Sequence, residues 1–161
     1  MKRKGLALRA SKGFTLVEIL LVVLIIAILA IVVFVSLNPT KRLADSRDSR
    51  RSTDVDSILS AVHSSIIDNK GTLPAGLSNN MAAQLQIGTA SGAAISNTYC
   101  TVALNAHVDL TAPLAKYLKT MPTDPLNGTS GSTAYAIRVD ANGIVTVTAC
   151  NAENAEISAS R

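Results

Sequence analysis

Among the residues able to do chemistry, Glu18 is the anomaly. It is the only charged residue between Gly13 and Asn38, a stretch otherwise made almost wholly of Leu, Ile, Val, Ala and Phe. A carboxylate held in hydrocarbon costs roughly 2.5–3.5 kcal/mol even on the lenient insertion scale. Such a group either reaches back to the headgroups, being close to the end of the segment, or waits for a charged partner. Cys100 and Cys150 are the only two cysteines. They allow one intramolecular disulfide, and the other arrangement is a buried pair of free thiols. Closing a loop of that length contributes about 4 kcal/mol in the chain-entropy account.

The remaining candidates carry little. His63 and His107 have no metal-ligand spacing to each other or to the cysteines. Gly128-Thr129-Ser130-Gly131-Ser132 lacks the glycine offsets of a nucleophile elbow. No phosphate-binding loop or dinucleotide fingerprint occurs. Aromatic residues are few, with none between Phe34 and Tyr99, so a stacked surface for nucleic acid is unsupported. The expectation is a chain that is not an enzyme.

The element that positions Glu18 is a polar leader joined to an apolar run. Lys2, Arg3, Lys4, Arg9 and Lys12 lie in the leader. They account for the formal charge of +4, since without them ten basic residues face eleven acidic ones. The basic excess is therefore a topological signal that holds the N-terminus in the cytoplasm. The rest of the chain then enters an oxidising space, where a disulfide persists. The run from Phe14 to Leu37 is about long enough to cross a bilayer once. Its Ile and Val content would favour a strand in water, but in lipid the backbone must satisfy itself, so helix is expected. No small-residue cleavage pattern follows Val35, so the run is not a discarded signal peptide.

Lys12-Gly13-Phe14-Thr15-Leu16, Glu18 and the apolar run after them resemble the class III signal of type IV prepilins. That family builds type IV pilus filaments and the pseudopili of type II secretion and DNA uptake. The resemblance implies a cut between Gly13 and Phe14. It also implies N-methylation of Phe14 by the same membrane enzyme. Glycine suits a protease that must approach the backbone closely. The cut frees an amine at Phe14, and Glu18 of one subunit would pair with the Phe14 amine of its neighbour in a filament core. Each charge then offsets the desolvation of the other.

Beyond the run, Asn38-Pro39 predicts a kink or local unwinding. From Thr40 to Asn69 the pattern turns amphipathic, with Val55, Ile58, Leu59, Val62 and Ile66 along one face. Lys41, Arg42, Asp45, Arg47, Asp48, Arg50, Arg51, Asp54 and Asp56 cover the rest, a face expected to be solvated and to form intrahelical and intersubunit pairs. Gly71 is the helix stop. Thr72 to Asn97 reads as a loop holding one short helix, capped by Asn79 or Asn80, with Met81, Leu85 and Ile87 apolar. Leu110 to Lys119 reads as another, with Thr111 as cap, Pro113 in the first turn and Leu114, Tyr117 and Leu118 buried. Thr133–Val139 and Ile144–Ala149 read as two strands joined by a two-residue turn at Asn142-Gly143. This order resembles the heads of major pseudopilins, where a loop near such an Asp-Pro binds calcium. Here Asp124, Asn127 and Asp140 are the oxygen donors nearby, few against the six to eight oxygens that calcium takes. A Pro-rigid loop without cofactor is the expectation.

The fold class is thus α+β. A long N-terminal helix, hydrophobic then amphipathic, packs on a small head with an antiparallel sheet or hairpin. The divisions are a cleaved prepilin leader at 1–13, a transmembrane or filament-core helix at 14–37, its amphipathic continuation at 38–70 and a globular head at 71–161. The resemblance implies a structural filament subunit in the cytoplasmic (inner) membrane, single-pass with the N-terminus in, passing to an extracellular pilus or periplasmic pseudopilus. Its partners would be copies of itself and other minor pilins, the prepilin peptidase/N-methyltransferase, the inner-membrane assembly platform and membrane lipid. The alternative is a membrane-anchored periplasmic or extracellular binding domain that does not polymerise.

Overall fold

The computed structural model describes residues 13–90 and 95–161. The leader up to Lys12 and the stretch 91–94 of the expected loop lie outside the described residues. The chain divides into two units, Met1–Thr40 and Lys41–Arg161, and each is described by itself.

In the first unit, α1 runs Leu16–Leu37. It begins two residues later than Phe14 because Thr15, in extended conformation, caps it. No residue of α1 is buried, so an apolar surface is presented on every side. The helix stops at Asn38, which takes a left-handed conformation at φ 38°. Pro39 disfavours the helical conformation in the residue before it, and Asn tolerates the left-handed one. Thr40 Oγ1 donates to Asn38 Oδ1 at 2.8 Å. The break that Pro39 predicts is therefore present and one residue wide.

The second helix, α2, runs Pro39–Asp68, with Pro39 in the first position, where its missing N–H is harmless. From Lys41 onward it belongs to the second unit. Val55, Ile58, Leu59, Ala61 and Val62 are buried, and Ile66 packs against them. Burying each large side chain contributes roughly 1.5–3 kcal/mol. Lys70 and Gly71 both take positive φ. The Gly71 N–H donates to the Ile66 carbonyl at 2.8 Å and the Lys70 N–H to the Ile67 carbonyl at 3.2 Å. This pair of bonds is a Schellman stop, so the expected terminator works through both residues.

The helix lies on one face of a six-stranded sheet ordered β2-β3-β1-β4-β5-β6. The strands are β1 Gln84–Ile87, β2 Ile95–Ser96, β3 Thr101–Val108, β4 Tyr135–Val139, β5 Val145–Ala149 and β6 Ser158–Ser160. Tyr135, Ile137, Val139, Val145 and Val147 alternate toward α2 and form the core with Ile87, Leu110 and Leu114. Cys100, Val102, Ala136 and Cys150 make a smaller cluster. The α+β expectation holds, with a long helix and a sheet-bearing head.

Several local expectations are corrected. The segment expected as a short helix after Asn80 contains β1, paired with β3 and β4. Sheet pairing outweighs the weak helical preference of its alanines. The β1–β3 pair is parallel, so the sheet is mixed rather than wholly antiparallel. Leu110–Lys119 is a chain of separate turns, with Leu114 N–H on the Leu110 carbonyl and Leu118 N–H on the Leu114 carbonyl. Pro113 supplies no donor and Ala112 before it is biased away from helix, so propagation fails. Leu114 is nevertheless buried and Tyr117 and Leu118 pack on the core, as expected. The hairpin connection spans Asp140–Ile144 rather than two residues. The Gly143 N–H meets the Asp140 carbonyl at 3.2 Å, and Gly143 adopts φ 82°.

Candidate processing and assembly site

The residues around the expected cut precede the helix. Gly13, Phe14 and Thr15 are non-helical and exposed. A Cβ added to Gly13 would meet nothing among the described residues, and Gly13 is not in the left-handed region. Nothing among the described residues therefore demands glycine there.

Thr15 Oγ1 accepts from the Glu18 N–H at 3.2 Å, and the Thr15 carbonyl accepts from Glu18 and Ile19 N–H at 3.1 and 3.3 Å. Thr15-Leu16-Val17-Glu18 is a capping-box sequence with Glu18 at the third helical position. A carboxylate there also faces the positive end of the helix dipole. The cap thus engages the Glu18 N–H. The capping-box pattern also offers its carboxylate the Thr15 N–H, although among the described residues no hydrogen bond joins them. After Glu18 comes a helix whose whole circumference is apolar and exposed, long enough to cross a membrane.

In the second unit the structure corrects the reading of Arg51. Arg51 was expected on a solvated face, yet it is fully buried. Its Nε donates to Asp124 Oδ2 at 2.6 Å, and its Nη1 donates to Asp48 Oδ1 at 2.9 Å and Glu153 Oε1 at 2.8 Å. Arg47 adds two bonds of 2.6 Å to Glu153. Asp48 also accepts from the backbone N–H groups of Glu153 and Asn154. Burial alone would disfavour the charged guanidinium. Its bonds to Asp124, Glu153 and Asp48 outweigh that and push its pKa up. Arg47 and then Arg51 hold the Glu153 carboxyl at about 2. Burial would raise Asp124, but the Arg51 bond and the backbone N–H groups of Asn127 and Leu126 bring it below its usual value. Tyr135, buried in the core, donates from its hydroxyl to Asp54 at 2.8 Å. Burial and then that bond raise its pKa.

The pairs within α2 are present too, Arg51 with Asp48 and Arg50 with Asp54. The pattern of acids and bases on α2 did signal ion pairing. It did not signal that the partners sit far along the chain, because Asp124 and Glu153 are isolated carboxylates in loops.

Cys100 and Cys150 are bonded to each other. Of the three oxygen donors weighed for calcium, Asp124 is occupied by Arg51 and by the Leu126 and Asn127 N–H groups at 3.0 Å each. Asp140 accepts from the Asn142 and Ile144 N–H groups in its own hairpin, at 2.8 Å each. The Asn127 side chain bonds to neither. Among the described residues no group of three or more His, Cys, Asp or Glu is placed to hold a metal ion. His63 Nε2 is buried without a hydrogen-bond partner among the described residues, and His107 Nδ1 meets the Asn105 carbonyl at 3.1 Å.

Comparison with known proteins agrees with this geometry at the N-terminus. The family model described as the prokaryotic N-terminal methylation motif matches residues 8–34, from the leader through most of α1. No curated protein and no solved structure matches the chain. The chain carries, at its N-terminus, the class III signal of the type IV pilin and pseudopilin family.

Proposed function

We propose that this chain is a structural subunit of a type IV filament, a pilus or a pseudopilus. It inserts in the cytoplasmic membrane with its N-terminus inside and is cut between Gly13 and Phe14. Phe14 is then N-methylated, and the subunits polymerise through α1. One observation carries this reading. The methylation motif coincides with a helix that is apolar around its full circumference and has no buried residue among the described residues. An all-apolar helix needs lipid or other such helices around it. Successive placement in the membrane and then in a filament core supplies both. In that core Glu18 pairs with the Phe14 amine of the next subunit, which sets the register, since a misplaced subunit leaves a charge unpaired. The partners are copies of this chain, minor pilins, the prepilin peptidase and the assembly platform.

Mass spectrometry of the chain from cells, with electron microscopy of sheared filaments, tests this reading. A mature N-terminus at methylated Phe14 in filament fractions is expected. An intact Met1 in a chain found only as monomers in the membrane would instead establish the anchored, non-polymerising domain.

A further inference from the structure

Several polar side chains of the head are engaged within it. Gln86 bonds to Ser132, Thr146 to Ser160, and Asn97 to the Cys150 carbonyl and the Tyr99 and Cys100 N–H groups. Around Tyr99 several polar side chains without partners among the described residues gather together. Two clefts of about 330 and 300 Å³ adjoin there and share Thr98 and Tyr99. Gln84, Thr101 and Arg138 line the first, and Asn127 and Asn151 line the second.

Among the described residues, no hydrogen bond or ion pair engages the Arg138 guanidinium, the Tyr99 hydroxyl, the Thr101 hydroxyl or the side-chain amides of Asn127 and Asn151. Gln84 uses its Oε1 for the Thr101 N–H, at 3.0 Å, and its amino group has no partner among them. Among the described residues, Arg138 is the one charged side chain lining either cleft, and no carboxylate does so. It projects from β4 on the side opposite Ile137 and Val139, which face the core.

We propose that these adjoining clefts bind an acidic saccharide, a short run of sugar rings bearing a uronate carboxylate. The guanidinium fork takes the carboxylate with two parallel bonds. Planar amides and hydroxyls, with donors and acceptors both open, match the hydroxyls of a sugar. The half-buried Tyr99 ring at the junction gives one sugar face an apolar floor. The two clefts in line suit an extended ligand rather than a lone anion. Single-stranded nucleic acid fits less well, because its successive bases each need an aromatic ring to stack on, and the described lining offers one. This inference is independent of filament assembly, since the lining belongs to the second unit alone.

The test is isothermal titration of the full chain, in detergent, with a short oligogalacturonate. Its fully methyl-esterified, uncharged counterpart and a short oligothymidylate serve as comparisons. The oligogalacturonate is expected to bind, and its ester to bind at least about tenfold more weakly, as loss of a hydrogen bond to a charged group implies. Arg138→Gln should show a similar loss without a change in melting temperature, because the Arg138 guanidinium bonds nothing among the described residues. Tyr99→Ala should weaken both saccharides, and Arg50→Gln, an exposed arginine on α2, should weaken neither. Absence of oligogalacturonate binding, equal binding of acid and ester, unchanged binding by Arg138→Gln, or tighter binding of oligothymidylate would each overturn the proposal.

Discussion

Arg51 and Asp124 stand 73 residues apart in the chain, yet their side chains meet at 2.6 Å with both removed from solvent. This contact fixes α2 to the loop that precedes β4. The same guanidinium reaches Glu153, three residues beyond Cys150. The segment after β5 is therefore held from two directions, by the disulfide to Cys100 and by Arg47, Asp48 and Arg51 of α2. The apolar seam between helix and sheet resists separation but tolerates small slides. The ion-pair cluster adds direction, because a guanidinium satisfies three carboxylates in few geometries.

Replacing Arg51 should expose that role. Arg51→Met leaves Asp124 buried without its counter-charge, and loss of one partner of a buried pair costs about 3–5 kcal/mol. Arg51→Lys keeps the charge but offers a single ammonium where a fork served three carboxylates, so its loss should be smaller yet clear. Arg50→Met, at an exposed pair with Asp54, should cost under about 1 kcal/mol. Urea unfolding of the full chain in detergent, followed by tyrosine fluorescence, measures all three. Equal midpoints for Arg51→Met and Arg50→Met would remove the cluster from any account of the head.

The cluster also sets a direction for acid sensitivity. Glu153 falls from an ordinary 4.5 to about 2, and Asp48 and Asp124 fall below 3.8. Groups with depressed folded-state values lend stability that is fully present above their unfolded values. That stability is lost as pH falls through the folded ones. The head should thus be insensitive to pH between about 5 and 7 and weaken progressively from about 4.5 down towards 2. In a series of unfolding midpoints against pH, Glu153→Gln should flatten the upper part of that acid limb. A wild-type limb beginning near pH 6 would point to a different titrating group.

The legible parts of this chain were those where one local signal decides the outcome. An uninterrupted apolar run makes α1, Pro39 breaks it at Asn38, and the spacing of Val55, Ile58, Leu59 and Val62 names the buried face of α2. The β4–β5 pair follows from alternation. The illegible parts depend on distant partners. β1 is a strand because β3 and β4 flank it, not because its four residues demand it. β3 carries Val102, Leu104, Ala106 and Val108 at alternate positions, a strand signal of its own. Its register with β1 shifts between Gln84 and Gln86, which no local pattern announces. The burial of Arg51 was hidden for the same reason, since its carboxylates arrive from loops with no regular pattern of their own.

The disulfide carries a separable share of stability. Cys100 and Cys150 are each buried and close a loop of 50 residues. Replacing both with alanine should cost about 4 kcal/mol in the chain-entropy account. Thermal unfolding with and without reductant checks this, because reductant should lower the wild-type transition and leave the double variant unmoved. A wild-type transition indifferent to a reductant that demonstrably frees both thiols would show that the loop is already constrained in the unfolded chain.

Capping and pairing make different demands on Glu18, and one substitution separates them. As a capping residue it needs a side chain that can bond a backbone N–H at the helix start, and glutamine does that nearly as well as glutamate. As the partner of a neighbour's Phe14 amine it needs a negative charge in an apolar setting, and glutamine has none. Glu18→Gln should therefore insert, be cut and keep α1 intact, but yield few or no filaments. Thr15→Ala should do the opposite, loosening the first turn by about 1 kcal/mol while sparing assembly. Immunoblots for leader removal, run beside filament counts by electron microscopy, read both effects in one culture. Wild-type filament numbers from Glu18→Gln would confine Glu18 to the cap and leave register in the filament to be set by the apolar packing of α1.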